Sequence, residues 1–239
     1  MLYKQFKELK LSSLGFGTMR LPLIPGGKDK DIDQEELDRM VDCAIAGGVN
    51  YFDTAYPYHG GRSELAIGKS LARYPRESFY LADKFPGHQI VKGVKKLDPE
   101  TIFEEQLKKC GVEYFDFYLL HNINEFSISY YGNPENKYLD YFLEQKANGR
   151  IKHLGFSCHS AAEGLEQFLQ MCGDEMEFCQ IQLNYLDWTL QNAKRKCEIL
   201  KAHGLPVWVM EPVRGGRLAK LDDDTEAAMR AARPDERIP

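Results

Sequence analysis

Three apolar runs in this chain each end on a side chain that carries or accepts a proton. Tyr51-Phe52-Asp53 closes on a carboxylate, Phe79-Tyr80-Leu81-Ala82-Asp83-Lys84 on an ammonium, and Phe115-Asp116-Phe117-Tyr118-Leu119-Leu120-His121 on an imidazole. Helical patterns separate them. Residues 35–46 place Leu37, Met40, Val41 and Ala44 on one face before Gly47-Gly48. Residues 63–72 offer Ser63 as a cap and Leu65, Ile67, Leu71 and Ala72 as the buried side, and 99–110 begin after Asp98, a good N-cap. Strands alternating with helices make a parallel sheet. Neighbouring strand ends then lie about 5 Å apart. Asp53, Lys84 and His121 converge on one mouth, with Tyr58 on the loop above. A carboxylate, an ammonium, a phenol and an imidazole in one pocket form a proton-transfer site.

The rest of the chain keeps this rhythm. Strands are predicted at 14–18, 49–53, 79–84, 115–121, 151–156, 178–183 and 206–210, after a small N-terminal hairpin. Helices are predicted at 138–147, 161–171, 193–202 and around 225–232, and 122–136 reads as a long loop suited to substrate. Polar residues stand at every strand C-terminus, which favours a (β/α)8 TIM barrel with its site at the C-terminal face. A doubly wound sheet would gather them at one switch point instead. Gly15 and Gly17 start a GxG, but position 20 is Arg20 and no helix follows, so a Rossmann reading fails. Seven strands do not close an eight-stranded barrel. Residues 1–239 are therefore expected to form a single barrel domain that is C-terminally incomplete, and an open barrel edge favours self-association.

Composition narrows the partners. A net charge of −5 with no basic cluster argues against nucleic acid. No apolar stretch approaches the ~20 residues of a membrane span. The six cysteines form no CxxC pair, and no signal-peptide core opens the chain, as expected of reduced thiols in a cytoplasmic protein. His153, Cys158 and His159 lack the further ligands a metal needs, so no metal is expected.

With Gly15-Phe16-Gly17-Thr18-Met19, Phe52-Asp53-Thr54-Ala55-x-x-Tyr58, Gly61-Arg62-Ser63-Glu64, Lys84, Leu119-Leu120-His121 and Ile151-Lys152-His153-Leu154-Gly155-Phe156-Ser157, the chain resembles the aldo-keto reductase family over most of its length. The resemblance implies a TIM barrel, a nicotinamide cofactor bound without a Rossmann domain, and reduction of a small aldehyde or ketone or oxidation of the alcohol. It puts Asp53, Tyr58, Lys84 and His121 in the catalytic positions. It also implies carboxamide contacts at Ser157, Cys158 and Gln182. Gly17, Thr18 and Met19 at the end of the first strand would let the cofactor approach the backbone, and Arg214 with Gly215 and Gly216 suits a phosphate, as barrels often bind one after strands seven and eight. NADP(H) is favoured over NAD(H). Glu211-Pro212-Val213-Arg214-Gly215-Gly216 and Asn184-Tyr185-Leu186-Asp187-Trp188 resemble a bacterial or archaeal branch, in which an iron–sulfur cluster would be expected only in a C-terminal extension outside this chain.

Taken singly, these residues have plainer readings: an aspartate at a strand end caps a turn, a lysine there is solvated, and His121 is a half-buried histidine. Together, a charged Lys84 beside Tyr58 would lower the phenol pKa from its usual ~10 and ease proton donation. Asp53 would balance the charge and His121 would orient the carbonyl. Two other functions compete. A lyase would use a neutral Lys84 as Schiff-base nucleophile, and a nucleotide sensor or an inactive fragment would keep the same residues without turnover.

Overall fold

The computed structural model describes residues 1–92 and 98–234. Residues 235–239 of the expected domain lie outside the described residues. The chain opens with an antiparallel hairpin, β1 (Tyr3–Phe6) and β2 (Leu9–Ser12), turned at Lys7 with φ of 50°. Then β3 (Phe16–Gly17), β4 (Tyr51–Asp53), β5 (Tyr80–Phe85), β6 (Phe115–Ile123), β7 (Ile151–Cys158), β8 (Cys179–Gln182) and β9 (Val207–Met210) pair in chain order as one seven-stranded parallel sheet. The strands alternate with α1 (Gln34–Ala46), α2 (Ser63–Leu71), α3 (Pro99–Cys110), the short α4 (Ile128–Tyr131), α5 (Tyr138–Ala147), α6 (Ala162–Cys172), the short α7 (Asp187–Leu190) and α8 (Ala193–Ala202), and α9 (Asp223–Ala232) follows β9. Asp33 and Asp98 cap α1 and α3 by accepting from the amides of Glu36 and Thr101.

Because side chains alternate along a strand, each strand has a helix side and a lumen side. Phe52, Leu81, Phe85, Tyr118, Leu120, Leu154, Phe156 and Ile181 pack outward with the helices. Tyr51, Ala82, Phe117, Leu119 and Phe178 point inward and meet Phe6 of the hairpin. The sheet curls far enough that Tyr51, on the second strand, lies 5.0 Å ring to ring from Trp208, on the seventh. Phe6 plugs the lumen floor, with ring centroids 5.7 Å from Phe117, 5.1 Å from His153 and 5.5 Å from Trp208. A buried phenylalanine of this kind is worth roughly 1.5–3 kcal/mol. The floor is therefore filled by aromatic rings, and the polar strand ends are left to the opposite mouth.

Three local expectations are corrected. Ser63 does not cap α2: Arg62 holds the cap position without a side-chain bond, and Ser63 is buried. Its hydroxyl goes to Thr18 and Thr54 instead. The buried face of α2 is Ala66, Ile67 and Leu71, whereas Leu65 and Ala72 are exposed. Residues 122–136 are not a plain loop: β6 runs on to Ile123, and Ile128 and Tyr131 of α4 are buried. The Asn124 side chain accepts from the amides of Phe126 and Ser127, which supplies the turn that lets α4 start.

Candidate active site

The mouth is built from strand ends. Asp53 ends β4 and pairs in register with Gly17 of β3 and Ala82 of β5, so its side chain faces the lumen. Lys84, two residues after Ala82, faces the same way. Its Nζ lies 2.5 Å from Asp53 Oδ1 and donates to the Thr54 carbonyl at 2.7 Å. Lys84 is 1% exposed. Burial pulls its pKa down, but Asp53 and then Tyr58 pull harder the other way, and the net shift is upward. Lys84 is a buried, charged ammonium.

Tyr58 opens a turn (Tyr58–Gly61) in which His59 and Gly60 both take positive φ. That left-handed pair folds the chain back over the strand ends, and His59 anchors it by accepting at Nε2 from the Leu21 amide at 3.0 Å. The Tyr58 ring sits 5.2 Å from Lys84 Nζ and 5.9 Å from the His121 ring. The expected depression of its pKa is corrected. Burial raises it most, Lys84 opposes, and the phenol ends above its ordinary value. A largely dry pocket disfavours phenolate more than one already paired ammonium favours it.

His121 is buried near the end of β6, and its Nδ1 has no partner among the described residues. Burial, then Lys84, His88 and His159, push its pKa well below the ordinary range. The imidazole is neutral. Asp53, Tyr58, Lys84 and His121 are thus brought together as the sequence led one to expect.

The cofactor candidates divide. Gly17 faces the lumen beside Asp53, and a Cβ added there would meet nothing within 4 Å. Thr18 is fully buried and donates from amide and hydroxyl to the Asp53 carbonyl at 2.9 and 3.0 Å. The Ser63 hydroxyl binds Thr18 Oγ1 at 2.7 Å and Thr54 Oγ1 at 2.9 Å, locking β3 to β4. Met19 is half-exposed at the rim. Ser157 accepts from the Asn122 amide at 2.8 Å. Cys158 is not brought to the site: alternation turns it outward into the helix-side core, with Sγ 3.1 Å from Ser160 Oγ. Gln182 faces the mouth but donates to Asp187 Oδ2 at 2.8 Å, and Arg214 Nε lies 3.5 Å from the same oxygen. Arg20 spans to Glu211 at 2.6 Å.

Several residues escaped sequence reading. Gln180 donates to Asp53 Oδ2 at 3.3 Å, across the lumen from β8 to β4. Its signal was the two-residue period, which puts it on the same face as Gln182. His88 stands edge-on to His121 at 4.8 Å. Asp187 is fully buried and gathers Gln182, Asn184 and Arg214. The open lumen wall at Gly17 and the unpartnered His121 nitrogen fit a flat polar ring such as a nicotinamide.

The model of the Aldo/keto reductase family matches residues 13–238. The chain belongs to this family. Among curated aldo/keto reductases, it is 27% identical over 228 residues to the NADH-specific methylglyoxal reductase of Escherichia coli, a match covering 88% of this chain and 66% of that protein. The chain thus spans about two-thirds of that relative's length. The holo form of aldo-keto reductase AKR11C1 from Bacillus halodurans superposes with a TM-score of 0.73 at 24% identity, covering 99% of this chain and 78% of that one. A Klebsiella pneumoniae aldo-keto reductase solved with NADPH gives 0.68 at 19% identity, over 97% and 78%. These likenesses establish the (β/α)8-barrel fold class for the curled sheet.

Proposed function

We propose that this aldo/keto reductase reduces a small aldehyde or ketone, or oxidises the corresponding alcohol, with a nicotinamide cofactor. The observation that carries the reading is the Lys84 ammonium, held 2.5 Å from Asp53 and 5.2 Å from the Tyr58 ring at the mouth of the barrel. Bound there, the nicotinamide supplies or accepts the hydride. Tyr58 is a protonated phenol at neutral pH and is therefore competent to donate a proton to a nascent alkoxide. As the proton leaves, Lys84 stabilises the phenolate, and Asp53 keeps Lys84 charged and in place. His121, neutral and buried, offers a hydrogen bond to the carbonyl oxygen without adding charge. A lysine held charged in this way is the opposite of what Schiff-base chemistry needs.

Gly17, Thr18 and Met19 would line one wall for the cofactor and Ser157 and Gln182 the facing wall, with Arg214 released from Asp187 to meet phosphate. We favour NADP(H), supported by the basic pair Arg20 and Arg214 at the rim. The six free cysteines suit a cytoplasmic setting, and no described helix is long and apolar enough to cross a membrane. The test is a nicotinamide absorbance assay over a panel of aldehydes, ketones and alcohols with NADPH and NADH in parallel, preceded by fluorescence titration of both. Saturable binding with turnover of any carbonyl supports the reading. Binding without turnover across the whole panel overturns it in favour of a nucleotide sensor.

A further inference from the structure

Behind Lys84, on the helix side of β5, lie two carboxyls with no role in the reaction above. Asp83 and Glu64 are both 0% exposed. They come from different elements, β5 and the first turn of α2, and their carboxyls meet within hydrogen-bonding reach. Asp83 Oδ1 accepts from the Lys84 amide at 2.8 Å, while its Oδ2 faces Cys110 Sγ at 3.8 Å. Glu64 Oε2 takes Lys109 Nζ of α3 at 3.1 Å. Glu64 Oε1 is buried with no partner among the described residues. Gln106 and Tyr118 close the remaining sides: Gln106 Nε2 donates to the Lys84 carbonyl at 3.1 Å, and its Oε1 accepts from the Tyr118 hydroxyl at 2.5 Å.

Two adjacent carboxylates cannot both stay ionised in a dry site facing one ammonium on their own side of the strand. Lys84 serves Asp53 on the lumen side. An orphaned carboxylate oxygen beside a second carboxyl is the geometry that a bridging proton satisfies. We propose that Asp83 and Glu64 share one proton and act as positioning residues for Lys84. Asp83 holds the Lys84 amide from behind, and the pair presents a single negative charge to Lys109, whose ammonium also meets Glu105 Oε1 at 2.8 Å. Burial and then the neighbouring carboxylate hold Asp83 well above the ordinary carboxylate range, and burial also raises Glu64, with Lys109 opposing. Cys110 and Tyr118, both raised by burial, stay neutral and add no charge.

The deciding experiment is infrared spectroscopy of the whole chain, which needs no turnover and so stands apart from the reductase reading. Wild-type protein at neutral pH should show a protonated-carboxyl stretch, sensitive to deuterium, that is absent in Asp83→Asn. Lys109 is partly exposed, so Lys109→Met guards against a misfolded Asp83 variant. Removing its charge should carry the band to higher pH, and Lys109→Arg should return it. In the reductase assay, the alkaline limb of kcat/KM should move up with Lys109→Met as well, because an unbalanced negative charge makes Lys84 and Tyr58 hold their protons longer. A purely structural pair would leave that limb in place. A wild-type spectrum without the band at neutral pH, or a band that none of these variants alters, overturns the proposal.

Discussion

Lys84 Nζ and Asp53 Oδ1 lie 2.5 Å apart, with the lysine side chain 1% and the aspartate 13% exposed. The pair joins adjacent strands inside the lumen, so each charge depends on the other. Asp53→Ala should leave the ammonium without a counter-ion, held by the Thr54 carbonyl and the Tyr58 phenol. Breaking a buried pair from one side costs about 3–5 kcal/mol, which urea unfolding of wild type and variant would measure. A loss under ~1 kcal/mol would mean that water reaches the pair as it does at the surface.

Tyr58→Phe keeps the ring beside His121 and removes only the oxygen that carries the proton. Carbonyl reduction should fall by roughly 10²–10⁴-fold, the usual worth of a positioned acid. The titration of NADPH fluorescence should be unchanged. Turnover at the wild-type rate would remove Tyr58 from the role of acid.

The candidate constellation was legible because three of its members each close an apolar run, and strand ends of a parallel sheet must share a mouth. Asp53, Lys84 and His121 needed only that rule, and Tyr58 needed the turn after Asp53. Face was harder to read. Ser157 and Cys158 are neighbours in the chain, yet the two-residue period turns one toward the lumen and buries the other among helix-side apolar groups. Gln180 reaches Asp53 only because the sheet curls, and a contact over 127 positions leaves no local trace. Ser63 had the chemistry of a cap, but Thr18 and Thr54 offered its hydroxyl a buried alternative. The pKa of Tyr58 departs from expectation for a related reason: the lysine is visible in the sequence and the degree of desolvation is not.

Glu177 precedes β8 on the hairpin side of the barrel and gathers three basic groups. His153 Nδ1 lies at 2.8 Å, Lys146 at 2.6 Å, and Lys7 of the hairpin turn completes the set. Burial opposes ionisation, but these partners and the Leu154 amide outweigh it and hold the carboxyl far below its ordinary value. The unfolded chain then binds the proton first as acid is added. Stability from Glu177 is complete above the unfolded pKa of about 4.3 and is lost as pH falls toward the folded value. Glu177→Gln should lose about 1.5–3 kcal/mol at neutral pH and flatten the decline of melting temperature with acid. An unchanged acid slope would show that Glu177 does not tie the hairpin to the barrel.

His121 moves stability in the same direction with pH, from a different cause. Burial and then the Lys84 charge keep its imidazole neutral in the folded protein, whereas the unfolded chain takes up a proton near pH ~6.5. Folding stability should therefore fall as pH drops through that range, and kcat/KM should show no acid limb there. Histidine NMR should find the His121 resonances unmoved between about pH 5.5 and 7.5. In Lys84→Met one repelling charge is gone, so the His121 titration should rise toward the ordinary value without reaching it, because burial, the larger cause, remains. Titration of wild-type His121 near ~6.5 would mean that water enters the lumen. The neutral hydrogen-bond donor proposed for the carbonyl oxygen would then have to be replaced by an imidazolium.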